Sequence, residues 1–556
     1  MKVVVNHEEG INVGDPSHIY LIDHAWTYLV NEAKSHLQQM PDLLNRMKSL
    51  MSICDSLTTE DSINAVFAEM WKFNQTYSVG SMSNVESRLP VWYIMDEFGS
   101  AIQHAEEPNF RVVPLIYLPE QIPYSLLFPI KNLSKDEEVT RDFVEGPIRT
   151  PSDRRVLLLP WRPSSFISED FKQEEPGEEY FLEGHIIESL PNLDTIKASA
   201  ISLETNMKLK VYSEYEFVNN YLIDSRFELT NDEDAANILW YTHHFKQFED
   251  LSESIIPKFV NQFPFEHVIT IKDLLSIVCR RSKNISKTMD SELLEMYPLW
   301  LPVTYNLKTE LTKFVSYFQH RENKGLDNHW ICKPWNLARG LDTHITNNIN
   351  YIVRLPFTGP KIAQKYIEDP VLFNRLDCGL VKFDIRYVLL LKSIQPLEVY
   401  VYRNFFLRFA NKPFELNDFD IYDKHFTVMN YTDNSSLYRK LCDEFIEDFQ
   451  TQYAGHQWET LEKKIFSMFL EILKAATCKQ PPLGIGHNPQ SRALYAADIM
   501  LAWRTDEDGC RVMQPKLLEI NWTPDCQRAC EYYPDFYNDV FSLLFCNEVR
   551  DVFVPL

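Results

Sequence analysis

The feature that most constrains this chain is the pentapeptide Lys382-Phe383-Asp384-Ile385-Arg386, which runs directly into the apolar stretch Tyr387-Val388-Leu389-Leu390-Leu391. A stretch apolar at successive positions predicts a strand covered on both faces, near the middle of its sheet. Side chains alternate across a strand, so Lys382, Asp384 and Arg386 share one face while Phe383 and Ile385 take the other. Charges gathered at one end of a buried strand are costly unless each finds a partner, and a site for an anionic ligand supplies such partners.

A second constellation lies near the C-terminus, where two strand-like segments, 495–501 and 512–521, flank Asp506-Glu507-Asp508-Gly509. Asp-Gly is a signal for a two-residue hairpin turn. With Asp508 and Gly509 as the loop, counting outward sets Asp498 opposite Glu519, with Asn521 two further along the same face. Opposed carboxylates repel, so a pair built beside an amide oxygen predicts a cation between them, and three hard oxygen donors suit magnesium rather than zinc. A solvated hairpin face with a chance acidic pair has the same pattern, and a slip of one residue would send Asp498 to the other face. The third piece is Trp330-Ile331-Cys332-Lys333-Pro334, a strand that ends at a proline and leads into a loop with Arg339 and Gly340; the fourth is a short strand at Ala363-Gln364-Lys365-Tyr366-Ile367. Lys333, Lys382, Arg386 and Arg408 as cations, with Asp498, Glu519 and Asn521 around magnesium, match what a nucleoside triphosphate requires: positioned positive charge and little covalent chemistry. A surface salt bridge is the alternative for each arginine taken singly.

Composition narrows the class. Only 15 glycines occur in 556 residues, and neither GxGxxG nor GxxxxGK[ST] is among their arrangements, so a glycine-rich phosphate loop is not expected. The net charge of -24 argues against nucleic-acid and anionic-membrane binding. The start, Met1 to His7, has no signal-peptide pattern, and no run approaches the ~18 apolar residues of a membrane span, which predicts a soluble intracellular protein. Ten scattered cysteines, with Cys526 and Cys530 lacking a partner pair at zinc spacing, predict free thiols.

At ~150 residues per domain the length predicts two to four domains. Asp23 to Leu50 is expected to be helical from the spacing of Leu29, Ala33, Leu37, Leu43, Leu44 and Met47, interrupted near Pro41. Strands are expected at 91–96, 112–118 and 124–127, making the first 160 residues α+β. Between Pro163 and Gly184 the acidic, turn-rich composition is that of a solvated linker. From Lys208 a strand, helix, strand order begins an α/β unit.

With these residues in hand, the chain resembles the tubulin tyrosine ligase-like family from about Met207 to Phe545. The likeness is carried by Val260-Asn261-Gln262-Phe263-Pro264 with Lys272-Asp273, Leu301 to Tyr305, Trp330 to Gly340, Gln364-Lys365-Tyr366, Lys382 to Arg386, Leu407-Arg408-Phe409, His425-Phe426-Thr427 and Leu518-Glu519-Ile520-Asn521. Glu137 to Phe143 looks like the SET segment that ends in an aspartate and an aromatic residue, although the SET asparagine-histidine motif is not visible before it. The resemblance implies an α/β (α+β) multidomain chain: a SET-like domain at 1–165, an acidic linker at 166–205, and an ATP-grasp domain at 206–550. It implies ATP and magnesium as cofactors. Lys333, with Arg339 and Gly340, would meet the phosphates, and Gln364, Lys365 and Tyr366 would form the hinge against adenine. Lys382 and Asp384 would serve the ribose or amino-acid side, Arg386 and Arg408 would face the reacting centre, and Thr427 would close the site. Asp498, Glu519 and Asn521 would hold magnesium.

Implied partners are tubulin or microtubules, and histone or other chromatin proteins through the SET-like region, in a cytoplasmic, cytoskeleton-associated and also nuclear setting. Pro334, Trp335 and Asn336 are bulkier than the family's pattern after the lysine, and Asp342 stands where a second glycine would be. Phosphate binding should therefore be weakened. The reading that follows is a tubulin-binding pseudoenzyme or weak ligase that regulates tubulin tyrosination. An active carboxylate-amine ligase adding tyrosine, glutamate or glycine is the alternative, and a SET-type methyltransferase a third.

Overall fold

The computed structural model describes residues 2–78, 89–120, 122–146, 150–183, 186–196, 208–254, 256–282, 289–290, 292–335, 340–427, 438–506 and 508–556. The chain forms two compact units that cut across its linear order: Met1–Lys172 with Tyr305–Pro334 and Leu341–Ala363, and Gln173–Thr304 with Trp335–Gly340 and Gln364–Leu556.

In the first unit the helix expected from Asp23 begins only at Ala33; helices span Ala33–Gln39 and Pro41–Leu50, with Pro41 in the first turn of the second. His24–Tyr28 is instead a strand, paired antiparallel with Val91–Met95, which also pairs with Asn74–Tyr77. Trp26 and Tyr28, two residues apart, are both buried, so a period of two prevails over the helical spacing there. Strands Phe110–Tyr117 and Ile122–Pro129 pair as a hairpin, in line with the expected strands.

The acidic stretch after Pro163 is not a free linker. Phe166 is buried in the first unit, where its N–H donates to Gln319 Oε1 at 2.7 Å. Phe181 is buried in the second unit's core, where Glu175 pairs with Arg281 at 2.6 Å and Lys479 at 3.0 Å. Aromatic anchors within the acidic run decide its fate, because burying one such ring outweighs the cost of ordering its neighbours.

The second unit holds a parallel sheet, in which Leu209–Ser213 is flanked by Phe227–Leu229 and Ile238–Trp240, as the strand, helix, strand pattern predicted. Its centre is a five-stranded sheet built from β1 (Phe383–Ile394), β2 (Leu397–Phe409), β3 (Ala493–Thr505), β4 (Arg511–Asn521) and β5 (Phe553–Pro555), in the order β4-β3-β1-β2-β5. β1 is the middle strand, as its apolar run predicted. Phe383, Ile385, Tyr387, Leu389 and Leu391 pack into one core with Ile465, Met468, Phe469 and Ile472 of helix α1 (Trp458–Thr477). Val388 and Leu390 pack on the opposite face with Phe541 and Leu544 of helix α3 (Phe536–Cys546), which follows the short helix α2 (Gln527–Tyr532). Each fully buried Leu or Phe here contributes roughly 1.5–3 kcal/mol, so the sheet that carries the charged end of β1 is clamped from both sides.

Glu266 carries a buried carboxyl in this unit. Glu266 Oε2 accepts from Phe263 N–H at 2.9 Å and from the Tyr495 hydroxyl at 2.7 Å, while Oε1 has no partner. Burial pushes its pKa up to about 8, so it is mostly protonated at neutral pH.

Candidate functional site: a charged row across the central sheet

The hairpin of β3 and β4 places Asp498 opposite Glu519 and Ala496 opposite Asn521, as counted from the sequence, but it reaches that register by a different route. The turn is one residue longer than expected: Asp506 N–H donates to Cys510 O, and Gly509 takes φ +78°. From Thr505↔Arg511 to Ile499↔Leu517 the register is therefore offset by one. A bulge between Ile499 and Asp498 then inserts Leu518 and restores the expected pairing. Without the bulge Glu519 would sit opposite Ala497 and face away from Asp498; the extra residue turns it to the same face.

Across the sheet, Asp384 of β1 lies opposite Arg408 of β2, and Arg386 of β1 lies opposite Asp498 of β3. Charge thus alternates from strand to strand, the favourable arrangement for cross-strand pairs. Arg386 grips Asp498 in a fork, Nε to Oδ1 at 2.7 Å and Nη2 to Oδ2 at 2.8 Å. Arg408 bridges the two acids, Nε to Asp384 Oδ1 at 2.7 Å and Nη2 to Asp498 Oδ2 at 2.8 Å. Thr427 donates its hydroxyl to Asp384 Oδ2. Asp384 and Asp498 are each 1 % exposed. Burial alone would raise the Asp498 carboxyl, but Arg386 and Arg408 overcome it and hold the group well below the usual carboxylate range. Burial raises Asp384, against the pull of Arg408.

Lys382 continues this face. Its ammonium donates to the Tyr366 hydroxyl at 2.8 Å and lies 4.2 Å from the centre of that ring. Tyr366 Oη is in turn 2.9 Å from His425 Nδ1, and His425 Nε2 is 2.7 Å from Asn417 O. Burial lowers Lys382 to about 7, against the pull of Asp384, and lowers His425 to about 4. Gln364 is buried and donates to Thr304 Oγ1 at 3.1 Å; Lys365 pairs with Glu368 at 2.9 Å. Gly340 takes φ +68°, a conformation that would strain a residue with a side chain, and the Tyr422 hydroxyl, 3.0 Å from where a Cβ would stand, would have to give slightly.

Arg339 lies outside the described residues. Lys333 belongs to the first unit, half-buried on the strand Trp330–Pro334, with Ile331 on the same face as expected. Asp342, in the same unit, adopts φ +51°, the left-handed conformation that a glycine at this point would take. Its carboxylate pairs with Lys361 and with His344 Nε2 at 2.9 Å. Rather than standing as a bare negative charge, Asp342 occupies a lysine.

Asp498, Glu519 and Asn521, expected to hold magnesium, are engaged with other partners in this structure. Both oxygens of Asp498 already accept guanidinium N–H donors, Lys272 Nζ lies 3.3 Å from Glu519 Oε2, and Asn521 donates to Glu519 Oε1 at 3.4 Å. Among the described residues no group of three or more His, Cys, Asp or Glu could hold a metal ion. A magnesium ion demands near-octahedral oxygen ligation, and two guanidinium cations on one of the offered carboxylates oppose it, so the set as arranged does not fit the ion.

Sequence reading missed Arg528, Asp525 and the part played by Lys272. Arg386, Arg408 and Arg528, with Asp525 and Cys526, help to line a cavity of about 40 Å³. Arg528 stands on the short helix α2, beyond the end of β4, where no strand alternation could have assigned it to this face. Three guanidinium groups thus border this small space together with the Asp525 carboxylate and apolar side chains.

The fold therefore comprises two units that mix helix and strand, and the site is a row of alternating charge on the central sheet of the second. A family model described as the tubulin-tyrosine ligase family matches residues 251–555, and one described as the tubulin tyrosine ligase SET-like domain matches residues 1–165. The chain belongs to the tubulin-tyrosine ligase family. It is 46% identical over 555 residues to tubulin-tyrosine ligase-like protein 12 of Mus musculus, covering 100% of this chain and 85% of that protein. The Homo sapiens protein of the same name is 46% identical over 98% of this chain and 83% of its own length, and that of Caenorhabditis elegans 38% identical over 91% and 76%. Among the described residues no helix is long and apolar enough to cross a membrane.

Proposed function

We propose that this chain binds tubulin and regulates its tyrosination state as a family member that holds nucleotide without efficient turnover. The observation that carries the reading is the closure of Asp498: its oxygens are shared between Arg386 and Arg408, so this carboxylate is not free to gather a divalent cation. Opening the row costs these charge-assisted hydrogen bonds, which sets a barrier against forming a metal-nucleotide complex there. In this reading the purine lies against Gln364, Lys365 and Tyr366, while Lys382 and Asp384 meet the sugar. Arg386, Arg408 and Arg528 receive a carboxylate of the tubulin tail. The chain's negative balance opposes an acidic partner at long range, so the attraction is confined to this cluster.

The cavity favours a second reading, an active ligase. Guanidinium groups placed about a carboxylate are what ATP-dependent acyl-phosphate formation and capture by an amine require. Purified chain, α/β-tubulin, ATP with magnesium and labelled tyrosine, glutamate or glycine separate the two. No incorporation, with tubulin co-sedimentation intact, supports the regulator; incorporation that Glu519→Gln abolishes overturns it in favour of the ligase.

A further inference from the structure

The first unit buries two guanidinium groups that form no ion pair among the described residues, although Asp142 attracts Arg141 from nearby. Arg141 is 5 % exposed and Arg354 3 %. The two meet at Phe143: the Arg141 guanidinium lies over its ring, 4.7 Å from the centre, and Arg354 Nη1 donates to its carbonyl at 3.5 Å. Arg354 Nη2 donates to Asn74 O at 2.7 Å, and the group is bracketed by the rings of Trp161 at 5.2 Å and Phe357 at 4.9 Å. Rings and carbonyls orient these cations but neutralise neither.

The nearby acids are committed elsewhere. Asp142 accepts a fork from Arg154 at 3.0 and 3.2 Å, and Glu106 accepts from Arg154 at 2.8 Å and Arg162 at 3.0 Å. The Tyr93 hydroxyl, whose pKa burial raises, is neutral at pH 7. Burial lowers Arg141 to about 10, and burial with repulsion from Arg141 lowers Arg354 to about 9, so both remain charged. Arg141 Nε, Arg354 Nε and Asn74 Nδ2 are buried with no hydrogen-bond partner. All three are donors. Unpaired buried charge is among the costliest features a fold can carry, and an orphaned buried donor points to a missing water or ion. A water could satisfy one N–H but not two like charges.

We propose that the first unit carries an anion site in which Arg141 and Arg354, which meet at Phe143, hold a small multivalent oxyanion with Asn74 Nδ2 as a further donor. Hydrogen exchange on the full chain, compared in potassium chloride and in about 10 mM phosphate or malonate at equal ionic strength, tests it. Peptides containing 140–144 and 353–358 should exchange at least about 5-fold more slowly with the anion, and the melting temperature should rise by about 3 °C. Both effects should vanish in Arg141→Met and in Arg354→Met, and Arg141→Met without anion should be at least as stable as the parent. A response to phosphate alone assigns a phosphate-bearing ligand, and one to malonate alone a carboxylate. Protection by neither anion overturns the site, and this readout on the parent stands even where a variant does not fold. Protection that persists in both variants overturns it equally.

Discussion

Replacing Asp498 by asparagine tests whether the charged row is closed. The carboxylate is 1 % exposed and receives three guanidinium hydrogen bonds at 2.7, 2.8 and 2.8 Å. Asparagine keeps the shape but removes the charge, and it turns an NH2 group toward one of the arginines. Arg408 retains Asp384, whereas Arg386 loses the only carboxylate it bonds among the described residues. Removing one partner from a buried ion pair costs roughly 3–5 kcal/mol, a large share of a typical domain's stability. In urea unfolding this corresponds to a midpoint lowered by roughly 1 M or more. The pH dependence has a definite sign. Burial raises the Asp498 carboxyl, but Arg386 and Arg408 leave its folded value well below the ordinary aspartate value, so its stabilisation is present above that ordinary value and is lost as pH falls through the folded one. The gap between parent and variant should be level from about pH 5 to 8 and narrow in stronger acid. The double variant with Arg386→Met should show a coupling of about 1–3 kcal/mol. A loss below about 1 kcal/mol, the range of an exposed pair, with additive single variants, would refute the closed row.

Three further outcomes are expected. Glu266→Gln should flatten a decline in stability of up to about 1.4 kcal/mol per pH unit between about pH 4.5 and 8, because the parent's raised pKa gives stability that is present below the unfolded value and lost as pH rises toward the folded one; chemical denaturation across that window measures it. Arg528→Met should weaken binding of a carboxylate-terminated tubulin-tail peptide by about 10-fold or more, read by calorimetry, with little change in melting temperature. Magnesium chloride without nucleotide should leave the melting temperature within about 1 °C of a sodium chloride control at equal ionic strength, since Asp498 is already engaged.

Much of the site could be read from sequence because strand physics is local. The run from Tyr387 to Leu391 announced a central strand, and alternation put Asp384 and Arg386 on the face opposite Phe383 and Ile385. Asp498 and Glu519 were matched correctly through two compensating departures: a turn one residue longer than Asp-Gly suggests and a bulge at Leu518 that no propensity announces. The partners of Asp498 were not legible, because whether a carboxylate meets a metal or a guanidinium depends on which strands lie side by side, a long-range property. Composition misled at Phe166 and Phe181, where isolated aromatic residues in an acidic run proved to be anchors, and at His24–Tyr28, where too few residues separate a period of two from one of 3.6.

The bulge at Leu518 sets the two ends of the β3-β4 hairpin free of one another. Register beyond it is fixed by the pairing of Asp498 with Glu519, and register before it by the turn near Gly509. The hairpin tip can therefore gain or lose a residue and be absorbed locally, as slack in a rope is taken up before it reaches the knot. The tip is thus a tolerant place in this unit to graft a label or epitope, while a single deletion at Leu518 would turn Glu519 to the opposite face and disconnect it from Asp498.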